Sequence, residues 1–187
     1  GAPLEWIDFS RTLIADLSPL AVSPLRIANL RRTPVSDLTS ICEAPLADLD
    51  LSFTSISDLR SLSVFSLQRL NLLKAPVDDL GPLRKLPLEE LDLSGTSVTS
   101  LRPLRGMPLR ELELRGTPVS DLSPLQGMPL EVLRLSGSAV TDLFPLAGSP
   151  IEKLSLTGLV VEELSPLAEM PLRIPSAFRA TSSRIVA

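Results

Sequence analysis

The chain is 187 residues long, carries a formal net charge of -4 at pH 7, and is 44% hydrophobic but only 3% aromatic. It has no histidine, no tyrosine and one cysteine, Cys42, which removes zinc sites, Ser/His/Asp triads, Cys/His nucleophile pairs and disulfides within this chain. The acidic balance and the lack of aromatics speak against nucleic-acid binding, and with no secretory signal and no long apolar run the sequence reads as a soluble chain that makes no use of a membrane.

From residue 3 onward the chain repeats itself. Pro3, Pro24, Pro45, Pro87, Pro108, Pro129, Pro150 and Pro171 recur every 21 residues, with Ser66 holding the one remaining slot and no insertion or deletion anywhere. Eight copies fill residues 3–170, with the pattern PLxxLxLxxTxVxDLxPLxxM. A period of this size announces a solenoid, in which each copy buries its apolar face against its neighbours. A stack of leucines also accounts for a chain so apolar and so poor in aromatics. The predicted organisation is a repeat region over 1–172 and a C-terminal cap or tail over 173–187.

Within each copy, proline comes first. It stands at the start of a strand, where a missing N–H costs no ladder bond, and keeps the preceding residue extended. The LxL alternation that follows reads as a short strand with two side chains on one face: Ile7 and Phe9, Leu49 and Leu51, Leu91 and Leu93, Leu112 and Leu114. A strand that recurs once per complete coil must run parallel to its neighbours. Next comes the threonine slot (Thr12, Thr33, Thr54, Thr96, Thr117), and then an unbroken β-branched column from Ile14 through Val98 to Val161.

The return segment, for instance SDLSPL, offers Asp as an N-cap and proline inside the first turn, with room for a single 3₁₀-like turn. The carboxylate column Asp16, Asp37, Asp58, Asp79, Asp121, Asp142 and Glu163 therefore reads as turn capping in preference to a calcium ladder. Gly106, Gly127 and Gly148 read as tight backbone geometry. Cys42, in a convex column, reads as a free and partly buried thiol; its lone occurrence fits a reducing, cytoplasmic compartment. In the tail, Leu172, Ile174 and Phe178 are the expected apolar contacts of the cap.

These residues resemble a known family. LxxLxLxxTxV is similar to the leucine-rich-repeat consensus with Thr in place of the more familiar Asn, and DLxPL is similar to the convex side of bacterial internalin-like repeats. The 21-residue unit also resembles repeats of planctomycete-type bacterial proteins, some of which carry kinase domains. The resemblance implies an α/β leucine-rich-repeat solenoid, a right-handed superhelix with a concave parallel sheet and a short 3₁₀ or turn convex side. In the family the Asn ties down the loop after the strand. A Thr hydroxyl offers a shorter version of that bond, so copies four and eight, with Ala75 and Leu159 in the slot, are expected to be looser there.

With leucines facing inward, alternation sends the residues beside them to the concave face. The first column there is Trp6, Ile27, Asp48, Arg69, Glu90, Glu111, Val132 and Lys153. The second is Asp8, Asn29, Asp50, Asn71, Asp92, Glu113, Arg134 and Ser155, and the third runs from Ser10 and Arg31 through Ser52, Leu73, Ser94 and Arg115 to Ser136 and Thr157. Copies three to six place six acids on these columns against Arg69 and Arg115.

The candidate partner-binding residues are accordingly Asp48, Asp50, Arg69, Asn71, Glu90, Asp92, Glu111 and Glu113. The expected partner is a protein with a basic patch; no catalytic residue, metal or cofactor is assigned. A solvated strand face, a regulatory segment of a larger protein such as a bacterial kinase, and a surface adhesin are the alternatives. Because the repeat pattern opens directly at Pro3, the expectation is that the sequence is a fragment, or that the first coil (Leu4, Ile7, Phe9, Ile14, Leu17) is covered by another chain, self-association included.

Overall fold

Each LxL segment overlaps a three-residue strand that starts one residue before its first apolar residue and ends before its second: β1 (Trp6–Asp8), β2 (Ile27–Asn29), β3 (Asp48–Asp50), β4 (Arg69–Asn71), β5 (Glu90–Asp92), β6 (Glu111–Glu113), β7 (Val132–Arg134) and β8 (Lys153–Ser155). The computed structural model describes residues 3–161 and 163–173. The strands form one sheet in chain order, every pairing parallel. Each residue lies beside its counterpart one period on, as Asp48 beside Arg69, Arg69 beside Glu90, and Glu90 beside Glu111. Inter-coil hydrogen bonds run past the strands at both ends: Ala47 O accepts from Gln68 N and Arg69 N, Asp92 O from Leu72 N, and Ser94 O from Lys74 N.

The chain returns to the next strand through a single 3₁₀ turn per coil, such as Ser18–Leu20, Gly81–Leu83 and Ser123–Leu125; no α-helix occurs among the described residues. This is the leucine-rich-repeat solenoid, its helical side reduced to 3₁₀ turns. The convex aspartates act as expected, with one correction of position. Asp16 Oδ1 accepts from Ser18 N at 2.8 Å, and Asp37, Asp58, Asp79, Asp121, Asp142 and Glu163 repeat the bond. The cap position itself is held by the following leucine, whose side chain the core claims, so the carboxylate reaches the turn from one residue earlier.

Copies two to seven bury their leucine columns completely, for example Leu46, Leu49, Leu51, Leu59 and Leu62 at 0–1% exposure. Ala28 is buried where its sisters are larger. The end coils have a neighbour on one side only among the described residues, so Leu4 and Leu164 are exposed where Leu25 and Leu143 are not. Of the five first-coil residues expected to be uncovered, Ile7 and Leu17 are nevertheless buried by the second coil, Phe9 and Ile14 are half-buried and Leu4 is exposed; Trp6 and Leu13 are exposed besides. At the other end Arg173 N still bonds Glu152 O; the expected cap contacts Ile174 and Phe178 lie outside the described residues. Cys42 is exposed, contrary to the expectation of a partly buried thiol, because it follows the 3₁₀ turn whose last residue, Ile41, takes the inward position.

Candidate functional site: the acidic sheet face

Parallel register brings all eight candidate residues to one place. Asp48, Asp50, Arg69, Asn71, Glu90, Asp92, Glu111 and Glu113 line a shallow depression of about 300 Å³ on the outer sheet face, floored by Leu70 and Leu91. Their roles differ by column. In the second column, Asp8, Asn29, Asp50, Asn71 and Asp92 each accept the backbone N–H two residues on, at 2.8–3.1 Å, so they close the turn out of the strand as well as lining the face. The Asp/Asn alternation is thus a set of turn caps, interchangeable because both side chains offer an acceptor at the same reach.

Glu113 breaks that series. Its longer side chain is buried and makes ion pairs with Arg134 and, at 3.1 Å, with Arg115. Arg134 Nη1 also donates to Glu111 Oε1 at 2.7 Å. In the first column Arg69 Nε donates to Asp48 Oδ2 at 2.8 Å. Among the described residues Asp50, Glu90 and Asp92 have no cation within ion-pair distance. The centre of the depression therefore holds three acids without an ion pair, with Arg69, already bonded to Asp48, as the in-register neighbour of Glu90. Glu90 stands opposite Glu111, and Asp92 opposite Glu113; like charges at the inter-strand spacing of ~4.8 Å repel by roughly 1 kcal/mol in water.

Two features departed from, or escaped, the sequence reading. Ser52 and Ser94 of the third column are buried, Ser52 beneath the Arg31 guanidinium, whose Nη1 donates to Ser52 Oγ at 3.1 Å; this column is only partly a surface. A fourth column went unread: Arg11, Arg32, Phe53, Lys74, Gly95, Gly116, Gly137 and Gly158 all have positive φ. Four glycines at the repeat spacing were the available signal, obscured by the large residues in copies one to four. Gly106, Gly127 and Gly148 also have positive φ, in line with the tight geometry expected of them. At the N-terminal end of the face Trp6, 58% exposed, lies beside exposed Ile27, giving the acidic centre an apolar neighbour.

No protein-family model matches the chain, and no curated protein matches it in sequence. Solved structures do. The chain is similar to internalin C2 of Listeria monocytogenes, at 25% identity and a TM-score of 0.87, over 91% of this chain and 79% of that one. It is also similar to internalin InlF of the same organism, at 19% identity and a TM-score of 0.67, covering 90% of this chain and 65% of the other. The functional domain of L. monocytogenes InlJ, described as including a cysteine ladder, matches at 17% identity and a TM-score of 0.61, with 90% of this chain covering 42% of that domain. The chain thus spans less than two thirds of the latter two, and with its one cysteine has no ladder of its own.

Proposed function

We propose that this internalin-like leucine-rich-repeat chain is a non-enzymatic protein-interaction module whose concave face receives the basic patch of a protein partner. The observation that carries the reading is the trio Asp50, Glu90 and Asp92, without an ion-pair partner among the described residues, with Glu90 stacked in register on Glu111 and Asp92 on Glu113. An incoming Lys or Arg would relieve that repulsion and gain charge-assisted bonds. Extended sheet faces of solenoids are suited to such contacts because each copy contributes one rung. The absence of histidine and tyrosine from the sequence leaves little general acid–base chemistry near neutral pH for a competing enzymatic role.

Charge reversal tests this. Glu90→Lys with Glu111→Lys should weaken association with a basic partner, identified by capture from cells of the source organism, by about tenfold or more. The convex control, Arg84→Glu with Arg105→Glu, should leave it intact, and both variants should keep the parent's far-ultraviolet circular dichroism. Exposed Leu4, Trp6 and Leu13 favour a second reading, in which a neighbouring domain or a second copy packs on the first coil. In that case the two charge-reversed variants would bind alike, and the concave assignment would fall.

A further inference from the structure

Every coil leaves its strand through one residue in the left-handed region, three positions past the strand end. Copies five to eight use Gly95, Gly116, Gly137 and Gly158, at φ of 62–79°; copies one to four use Arg11, Arg32, Phe53 and Lys74, at 55–61°. The fold accommodates glycine here, and any other side chain adds backbone strain. Asn or Asp, the usual non-glycine choices in this region, are not used. Burial in the leucine core does not explain the four large residues either, because all four lie on the surface, Phe53 at 36% exposure.

What they share is interaction chemistry. The guanidinium carbons of Arg31 and Arg32 lie 4.8 and 4.6 Å from the Phe53 ring centroid, so the ring and both cations form one stacked group. The Lys74 side chain runs onto the next coil, where a Cβ on Gly95 would come within 2.6 Å of its Cδ. Among the described residues no ion pair involves Arg11, Arg31, Arg32 or Lys74. The turn segments 10–13, 31–34, 52–55 and 73–76 hold these four cations and no acid, in a chain whose net charge is negative.

We propose that Arg11, Arg31, Arg32, Phe53 and Lys74 form a docking ridge for an acidic polypeptide segment that carries an apolar side chain. Carboxylates meet the planar guanidinium forks and the ammonium, and the apolar side chain rests on Phe53. From Arg11 to Lys74 is three inter-strand steps, ~14 Å, which about four extended residues span. A polypeptide fits better than a nucleic acid, because Phe53 is the only aromatic side chain in these four turn segments, which leaves no succession of platforms for stacked bases. The ridge lies on the first four coils and does not depend on the concave reading.

The test measures fluorescence anisotropy of a labelled acidic peptide, DELDE, with the parent and with Arg32→Gly plus Lys74→Gly, the residue that copies five to eight carry. The parent should bind DELDE, and the double variant should lose about tenfold or more in affinity while its thermal midpoint stays level or rises. A basic peptide, KKLKK, reports on the acidic face and should not distinguish the two proteins. Absent or unchanged DELDE binding would overturn the ridge. So would a lowered midpoint, which would give these side chains a stabilising role, or tighter binding of a short thymidine oligonucleotide than of DELDE.

Discussion

One hydroxyl decides how firmly each turn after a strand is closed. Thr33, Thr54, Thr96 and Thr117 are buried, and each Oγ1 donates to the carbonyl three residues back at 2.6–2.8 Å. Ala75 closes the same turn through its backbone alone, N to Leu72 O at 2.9 Å. Ser138 makes that backbone bond too, yet its Oγ is buried without a partner among the described residues, since serine lacks the branch methyl that restricts χ1 in threonine. The sequence shows a hydroxyl in both kinds of copy; only the rotamer separates them. Thr96→Ala should therefore cost about 1 kcal/mol, whereas Ser138→Ala should be neutral or stabilising, because it removes a buried polar atom with no bond to lose. Urea midpoints of the two variants check this, and equal losses would contradict it. The acids of the face were legible as charges from alternation alone. That Asp50 and Asp92 also cap turns was not, because it depends on where the N–H groups of Ser52 and Ser94 point.

The convex turns are elements built on carboxylates, and acid should loosen them. Backbone and side-chain hydrogen bonds from Ser18 hold Asp16 below its ordinary value, and those from Ser165 do the same for Glu163. Thr39 and Ser123, through hydroxyl and backbone N–H, lower Asp37 and Asp121. Asp58 goes furthest, from 3.8 to about 2, chiefly through the Arg60 side chain and then its backbone N–H. A carboxylate whose folded pKa lies below its unfolded one adds stability above the unfolded value and loses it as pH falls through the folded one. For Asp58 that loss should run from about pH 4 down to about pH 2. Carbon NMR titration should place the Asp58 carboxyl near that lower value in the parent and higher in Arg60→Ala; an ordinary titration in the parent would contradict the assignment. DLxPL announced this capping in the sequence. The shift by one residue was hidden because Leu17, Leu38 and Leu59 are drawn into the core, a tertiary demand that local cap preferences do not contain.

At the scale of the whole molecule, the unbroken 21-residue period made the sheet, its parallel sense and its register readable before any coordinates, because identical lengths between identical apolar columns leave one way to stack them. The depression was readable for the same reason: residues a period apart had to become neighbours. What a partner looks like was not, since surface charges fix no fold and answer to a surface outside the chain. The proposed ridge was missed because Arg11, Arg32, Phe53 and Lys74 disguise a position that only glycine would have advertised.

The sheet order has a mechanical consequence. Because β1 to β8 pair strictly in sequence, no strand among the described residues is clamped between partners distant in the chain, and tension on the two ends loads the outermost rungs first. Pulled in an optical trap, the molecule should yield as a zip fastener does, in low-force steps that each release one 21-residue coil, about 70 Å of extended chain. A single abrupt rupture of the whole array would mean that the coils fail together. Stepwise yielding instead makes it a spring that gives ground a coil at a time while the coils still in place keep their rungs in register.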